Sequence, residues 1–167
     1  MGNPKKKFAK LYDKYVEKIY RYVFLKVGNS ETAEDLTSQV FTKAWNKFKR
    51  PNKNIENPTA YLYQIARAEI ANYYRGARKF KIISTETIQV ADPQPTLEET
   101  QQFRSDIIEL KNCLAKLSND YQDVIIWRYI DGYSTKEIAK ILKKPENTVR
   151  VLLHRALKEL RGKMENL

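Results

Sequence analysis

Basic residues near the C-terminus recur at the spacing of one helix face. The outward side of the last predicted helix collects Arg150, Val151, His154, Arg155, Lys158 and Arg161. A short predicted helix comes before this one, and a break at Lys143-Lys144-Pro145 separates the two. This is the arrangement of a helix-turn-helix whose second helix enters the major groove of DNA. The pattern predicts a surface that binds duplex DNA, although a solvated basic face would show the same spacing.

Aromatic and cationic residues alternate on the outward side of a second predicted helix. This side collects Tyr63, Gln64, Arg67, Ala71, Tyr74, Arg75 and Arg78. Tyrosine rings stack on bases and arginines hold phosphates without requiring a particular base sequence, so this side favours unpaired bases. The alternative is that the tyrosines pack against a neighbouring helix, because tyrosine is often half-buried. Tyr73 is expected on the core side with Leu62 and Ile70.

A third outward stripe is polar and almost uncharged. It consists of Asp35, Gln39, Thr42 and Asn46, at helical spacing, within an otherwise cationic part of the chain. Such a stripe does not suit DNA. It suits a protein partner or a solvated helix face.

Residue types needed for catalysis and for metal binding are scarce. Cys113 is the one cysteine and His154 the one histidine, so neither an internal disulfide nor the ligand set of a structural zinc site is available. There is no Ser/His/Asp arrangement, no glycine-rich phosphate loop and no long apolar segment. We therefore expect a cytoplasmic protein that is not an enzyme, binds no cofactor, metal or small-molecule substrate, and does not insert into a membrane.

Apolar residues at intervals of three and four predict the helices that carry these faces. In the first part of the chain, one helix closes at Gly28-Asn29, a second begins with Ser30 as its cap, and a third runs from Asn57-Pro58 to about Lys79. In the last part, Thr96-Leu97-Glu98-Glu99 and Ser134-Thr135-Lys136-Glu137 each have the pattern of a capping box. Each box opens a helix. A further helix, between these two, is expected to run from Ser118 to Asp131-Gly132.

The distribution of charge divides the chain into parts. The 31 Lys and Arg residues against 20 Asp and Glu give a net charge of +11, which indicates a polyanionic partner. Two basic parts flank an acidic stretch that contains Asp92-Pro93-Gln94-Pro95. We expect an all-α fold of two small helical domains, residues 1–80 and 96–167, joined by a flexible linker over 81–95.

Several motifs resemble those of a known family. Three segments resemble region two of the extracytoplasmic-function (ECF) sigma factors of bacterial RNA polymerase: Glu34–Trp45, Ala60–Arg67 and Asn72–Arg75. Region four of the same family resembles Leu117-Ser118, Arg128-Tyr129, Gly132–Ser134, Glu137–Ala139, Asn147–Arg150 and Leu153–Ala156. The resemblance covers about residues 8–163, in the family's order and with no room for a region three.

The resemblance implies a role for each face. The polar stripe of Asp35, Gln39, Thr42 and Asn46 matches the surface that binds the clamp helices of the polymerase. The residues implied for the melted minus-ten strand are Asn52, Lys53, Asn54, Tyr63, Arg67, Tyr74, Arg75 and Arg78. Those implied for the minus-thirty-five duplex are Lys136, Asn147, Thr148, Arg150, Val151, His154, Arg155 and Lys158. The chain departs from the pattern at Ala68, where many members have Asn, and at Val151-Leu152, where many have Ser-Arg.

The resemblance also implies partners. These are core RNA polymerase, through its clamp helices and flap, promoter DNA, and an anti-sigma factor. The implied function is promoter-specific initiation as an alternative sigma factor. The alternative is a helix-turn-helix repressor or activator that never joins the polymerase.

Overall fold

The structure is a computed structural model that describes residues 3–51, 55–79 and 98–165, without the side chains of residues 77–79, 98–104 and 107. The predicted linker and the Thr96–Glu99 capping box lie largely outside these residues. The described residues group into two compact units, the first within residues 1–91 and the second within 92–167.

The first unit contains three helices, α1 (Pro4–Val27), α2 (Ser30–Phe48) and α3 (Pro58–Lys79). α1 ends at Gly28, whose φ of 76° is the left-handed conformation that glycine adopts without strain. Asn29, rather than the predicted Ser30, caps α2, since its side chain accepts a hydrogen bond from the Thr32 amide at 3.0 Å. α3 begins as predicted, at Pro58, with the Asn57 side chain accepting from the Ala60 amide at 3.1 Å.

The three helices pack against one another around a core of aliphatic and aromatic side chains. Its fully buried members include Ile19, Tyr22, Val40, Leu62 and Tyr63. Phe8 of α1 contacts Phe41, Trp45 and Phe48 of α2. The Tyr15 hydroxyl forms a hydrogen bond with Thr59 of α3, and the Lys43 ammonium of α2 pairs with Glu69 of α3. Each pair of helices is therefore joined by side chains that fix its register.

The second unit contains α4 (Glu98–Ala115), α5 (Asn119–Ile125), α6 (Thr135–Leu142) and α7 (Glu146–Glu165). α5 continues into a π-helical turn, Ile126–Ile130, which the sequence pattern did not predict. In this turn the Asp131 amide donates to the Ile126 carbonyl oxygen at 2.9 Å. The predicted capping box at Ser134 and Glu137 is confirmed, because both of its reciprocal hydrogen bonds are present.

α7 contacts α4, α5 and α6, so it is the central helix of the second unit. Its buried stripe is Val149, Leu153, Ala156 and Leu160, and the core of this unit also contains the fully buried Trp127 and Ile138. A left-handed Lys143, with φ of 54°, ends α6 and lets α7 start three residues later. The predicted fold class, two small helical domains, is confirmed, and the part of the chain that the structure describes has no strand. Nor does any described helix have a stretch apolar enough to span a bilayer.

Candidate nucleic-acid and protein interfaces

The basic face of α7 is exposed along its length. Arg150, Val151, His154, Arg155, Lys158 and Arg161 are all exposed, and Val151 is 47% exposed although it is apolar. Lys136 of α6 and the N-terminal residues Asn147 and Thr148 of α7 are exposed as well. All the residues implied for the duplex site are thus accessible from solvent on the helix-turn-helix.

Arg150 is held in place at the start of α7 by two neighbours. Its guanidinium donates to the Glu146 carboxylate at 2.9 Å and to the Asn147 side-chain oxygen at 2.8 Å. The same Glu146 oxygen accepts a hydrogen bond from the Thr135 hydroxyl of α6 at 3.2 Å. The two helices of the motif are therefore linked through Glu146, and Arg150 is positioned before any DNA is bound.

The polar stripe of α2 also faces solvent. Asp35, Gln39, Thr42 and Asn46 are exposed, while Leu36, Val40 and Ala44 on the opposite side are buried. Thr42 uses its hydroxyl to donate to the Ser38 carbonyl oxygen at 2.8 Å. The stripe is therefore not needed to complete the core.

An apolar groove beside this stripe was not predicted from the sequence. It lies between α1 and α2, has a volume of about 700 Å³, and is lined by aromatic side chains that include Tyr12, Phe41 and Trp45, together with polar residues that include Glu17 and Glu34. Thr42 belongs both to the groove and to the polar stripe, so the two form one continuous surface. Helical spacing alone does not reveal the groove, because aromatic residues at that spacing are also typical of a helix core.

The face of α3 differs from the prediction at Tyr63, which was wrongly placed on the outward side. Tyr63 is fully buried, and its ring meets Tyr22 of α1 edge to face at a centroid separation of 5.5 Å. Tyr63 is therefore a core residue. Tyr73, predicted to be a core residue, is only half-buried.

Tyr74 keeps an accessible ring on this face. It is 43% exposed, its hydroxyl donates to the Lys26 carbonyl oxygen at the end of α1, and its ring lies 5.3 Å from that of Tyr73. Burial, and secondarily the neighbouring Tyr73, raises the pKa of Tyr74 above its ordinary value. The phenol therefore stays protonated and keeps its hydrogen bond at neutral pH.

The cations predicted on α3 have different surroundings. Arg75 is exposed and donates to the Asn72 side chain at 2.7 Å, and Arg67 is half-buried and interacts within the chain. The predicted DNA ligands Asn52, Lys53 and Asn54, and the side chain of Arg78, lie outside the described residues. The structure thus brings Arg67, Tyr74 and Arg75 to one helix and removes Tyr63 from the set.

Tyr61 is an aromatic side chain near the predicted strand site that the sequence reasoning missed. It lies one turn into α3, half-buried, with the Lys47 ammonium 4.2 Å from the centroid of its ring. Burial raises the pKa of Tyr61, and the positive charge of Arg50 opposes this effect. Its signal in the sequence is an aromatic residue that directly follows a basic loop.

No group of three or more His, Cys, Asp or Glu side chains suited to a metal ion occurs among the described residues. The exposed chemistry of both units is that of binding surfaces: a basic helix face, an aromatic and cationic helix face, and a polar stripe beside an apolar groove.

Comparison with known proteins defines the class to which these two units belong. Residues 11–80 match the family described as Sigma-70 region 2, and residues 107–160 match Sigma-70, region 4. The chain is therefore a sigma-70-type transcription factor with these two regions. CnrH, solved in complex with the cytosolic domain of CnrY, has the same fold, with a TM-score of 0.72, 18% identity, and coverage of 99% of this chain and 91% of that one. The sigma factor RpoE of Bartonella quintana, solved in complex with the anti-sigma factor NepR, has a similar fold, with a TM-score of 0.69, 22% identity, and coverage of 96% of this chain and 98% of that one.

Curated relatives define the family more narrowly. The ECF RNA polymerase sigma factor SigX of Bacillus subtilis is 32% identical over 165 residues, which cover 96% of this chain and 84% of SigX. The ECF RNA polymerase sigma factor BldN of Streptomyces coelicolor is 27% identical over 154 residues, which cover 92% of this chain and 58% of BldN. The chain belongs to the ECF sigma factors, as the motifs predicted.

Proposed function

We propose that this chain is an alternative sigma factor that joins core RNA polymerase and directs it to specific promoters. The observation that carries the proposal is the presence, in one chain, of a region 2 unit and a region 4 unit, each with an exposed surface suited to a different partner. The proposed domains are residues 1–80 and 96–167, with a linker over 81–95. Because the protein would act together with RNA polymerase on DNA, we propose that it is cytoplasmic.

The second unit is proposed to bind the minus-thirty-five duplex through the basic face of α7. The exposed cations of this face can bind phosphates. Arg150 is held by hydrogen bonds to Glu146 and Asn147, so its guanidinium has one orientation. Val151 supplies an exposed apolar side chain of the kind that contacts a thymine methyl group. Phosphate contacts supply affinity and the base contacts supply selectivity.

The first unit is proposed to carry two binding surfaces. The stripe of Asp35, Gln39, Thr42 and Asn46, with the adjoining groove, is the polymerase surface, since it is exposed, weakly charged and partly apolar like the centre of a protein interface. The α3 side chains Arg67, Tyr74 and Arg75, with the loop over residues 50–57, hold the melted minus-ten strand. Stacking on an accessible ring and charge on both sides of it suit an unpaired strand.

Two further parts of the proposal concern regulation and catalysis. An anti-sigma factor is a proposed partner, because the sigma factor RpoE of Bartonella quintana, which has a similar fold, was solved in complex with the anti-sigma factor NepR. Catalysis is proposed to come from the polymerase, since the described side chains of this chain are arranged as binding surfaces rather than as a nucleophile with a base.

Reconstituted transcription tests this proposal. The purified chain is mixed with core RNA polymerase from its own bacterium on genomic DNA, and transcript start sites are mapped. We expect specific starts from the mixture and from neither component alone. Arg150→Ala/Arg155→Ala should keep polymerase affinity and lose promoter selectivity. A chain that binds duplex DNA tightly but never changes the starts made by polymerase would instead be a repressor or activator.

A further inference from the structure

α1 carries a stripe of positive charge that the surfaces described above do not include. Five basic residues recur at three- and four-residue intervals along the helix: Lys7, Lys10, Lys14, Lys18 and Arg21. At 3.6 residues per turn they fall within an arc of about 80° and extend over about 21 Å. Lys18 is half-buried and the other four are exposed. We call this set the cationic stripe.

The contacts of α1 fix the direction in which the cationic stripe faces. Tyr22 contacts Tyr63 of α3, whereas Phe8 and Tyr12 contact Phe41 of α2. Measured around the helix axis from Tyr22, the stripe lies about 40–120° to one side, and Phe8 and Tyr12 lie about 40–80° to the other. The stripe is therefore on the side of α1 that is turned away from α2, and its members Lys18 and Arg21, which lie between the Tyr15–Thr59 and Tyr22–Tyr63 contacts, border α3.

The contacts of α3 place two of its arginines on the same outer face of the unit. Glu69 pairs with Lys43 of α2, and Arg67 and Arg75 lie about 120–160° from Glu69 around the axis of α3. In a bundle of three mutually packed helices, the side of α1 and the side of α3 that are both turned away from α2 form one surface. The cationic stripe therefore extends the face that holds Arg67 and Arg75.

We propose that the cationic stripe binds the phosphate backbone of promoter DNA next to the melted strand held on α3. This inference rests on the proposed function and adds an anchor to it. In a B-form duplex each strand carries one phosphate for about every 3.4 Å of helix axis, so a stripe of about 21 Å spans the axial rise of roughly six phosphates. The contacts would be independent of base sequence and sensitive to salt.

Charge and position favour DNA over an acidic protein as the partner. α2, which carries the proposed polymerase surface, has three acidic and two basic residues, whereas α1 has eight basic and two acidic residues. Lys14 is exposed to solvent, and its ammonium lies 5.2 Å from the ring centroid of the neighbouring Tyr15. The continuity of the stripe with Arg67 and Arg75 places the positive charge where a strand leaving α3 would continue.

Salt-dependent promoter binding by the reconstituted holoenzyme tests the proposal. The variant is Lys10→Gln/Lys14→Gln, which keeps good helix formers at exposed positions. The control is Lys116→Gln/Lys163→Gln in the second unit, which removes the same charge, with Lys163 next to the buried stripe of α7 and away from its basic face. The probe is a labelled promoter fragment with a pre-melted minus-ten segment, and polymerase affinity is measured separately.

We expect the slope of log K against log salt to become shallower by about 1.4–1.8 in the variant, for two lost phosphate contacts. The control should keep the parental slope, and both proteins should keep parental polymerase affinity. A variant with the parental slope overturns the stripe alone. A variant that loses polymerase affinity and keeps the DNA slope assigns the stripe to a protein partner. A parental holoenzyme that binds no promoter overturns the proposed function together with the stripe.

Discussion

The rings of Tyr22 and Tyr63 meet edge to face at 5.5 Å in the middle of the first unit, and both side chains are fully buried. This pair joins α1 to α3. An edge-to-face pair of buried aromatic rings contributes about 0.5–1.5 kcal/mol beyond the burial of its area. The orientation of the residues of α3 that are proposed to bind the strand therefore depends, relative to α1, on Tyr63, although Tyr63 itself is buried.

We predict that Tyr63→Ala destabilises the first unit by about 3–5 kcal/mol, because it leaves a cavity in a closed core. Tyr63→Phe keeps the ring and should cost much less. Denaturant unfolding followed by Trp45 fluorescence, in a Trp127→Phe background, reports on the first unit alone. A Tyr63→Ala protein that unfolds at the parental denaturant concentration would contradict the core assignment.

A comparison of Tyr63 with Tyr74 shows what helical spacing can and cannot predict. Eleven residues separate them, so they differ by only about 20° around α3 and share one side of the helix. α1 covers that side at Tyr63 but ends at Val27, so Tyr74 stays 43% exposed. The sequence gives the side of a helix, but the point at which a neighbouring helix stops is a long-range property.

Local signals were sufficient where the determinant lies within a few residues. Asn57-Pro58 and the Ser134/Glu137 box predicted helix starts because the capping groups are next to the amides that they satisfy. The π-helical turn at Ile126–Ile130 had no such signal. Ile126 and Trp127 in this turn are fully buried, so no capping group or turn residue next to them in the sequence marks it.

Strand capture by Tyr74 is predicted to depend on its ring. Tyr74→Ala should weaken binding of the melted strand by about 1–3 kcal/mol, because it removes the stacking platform. Tyr74→Phe keeps the ring and loses only the hydrogen bond to the Lys26 carbonyl oxygen, so it should bind the strand nearly as the parent does and lose about 1 kcal/mol of stability.

The Tyr74 variants are compared by promoter opening with a base analogue that fluoresces when unstacked. The defect of Tyr74→Ala should be large on duplex promoter and smaller on a pre-melted template. Equal opening rates for Tyr74→Ala and the parent on duplex DNA would show that the strand is held elsewhere, most simply by the loop over residues 50–57.

The polar stripe of α2 is predicted to bind polymerase without contributing to folding. Asp35 and Gln39 are exposed and point away from Leu36 and Val40, so Asp35→Ala/Gln39→Ala should change stability by no more than about 0.5 kcal/mol. Polymerase affinity should fall, because the two changes remove polar contacts at the interface. Titration of labelled protein with core polymerase measures this, and unchanged affinity would refute the assignment.

Arg150 is predicted to depend on Glu146 for its orientation. Arg150→Ala should either reduce the salt slope of duplex binding by about one unit or relax base preference by about 1–3 kcal/mol. Glu146→Gln keeps the shape but weakens the ion pair that holds the guanidinium, so selectivity should fall with little loss of non-specific affinity. Binding of each variant to a series of promoter sequences at several salt concentrations distinguishes a change in salt slope from a change in base preference. Parental slopes and base preferences in Arg150→Ala would exclude Arg150 from the interface.

Lys111 gives the second unit a predicted dependence on pH. It is 5% exposed on α4, and its ammonium has no hydrogen-bond partner among the described residues. Burial lowers the pKa of Lys111 below its ordinary value of 10.5. Between the lowered pKa and 10.5 the unfolded chain binds more protons than the folded chain, so this group makes folding more favourable as pH rises through that window.

Replacing Lys111 with Met should therefore stabilise the second unit at pH 7, by about 0.5–2 kcal/mol, since it removes a charge that is poorly solvated when folded and keeps an unbranched apolar chain. The gain over the parent should shrink as pH rises through that window, because the lysine becomes largely neutral in both states only above 10.5. Trp127 fluorescence during denaturant unfolding at pH 7 and pH 10, in a Trp45→Phe background, measures the difference for the second unit. Lys116→Met, which removes an exposed charge five residues further along the chain, serves as the control. An equal gain in the control, or a gain that does not change with pH, would show that the burial of Lys111 is not its cause.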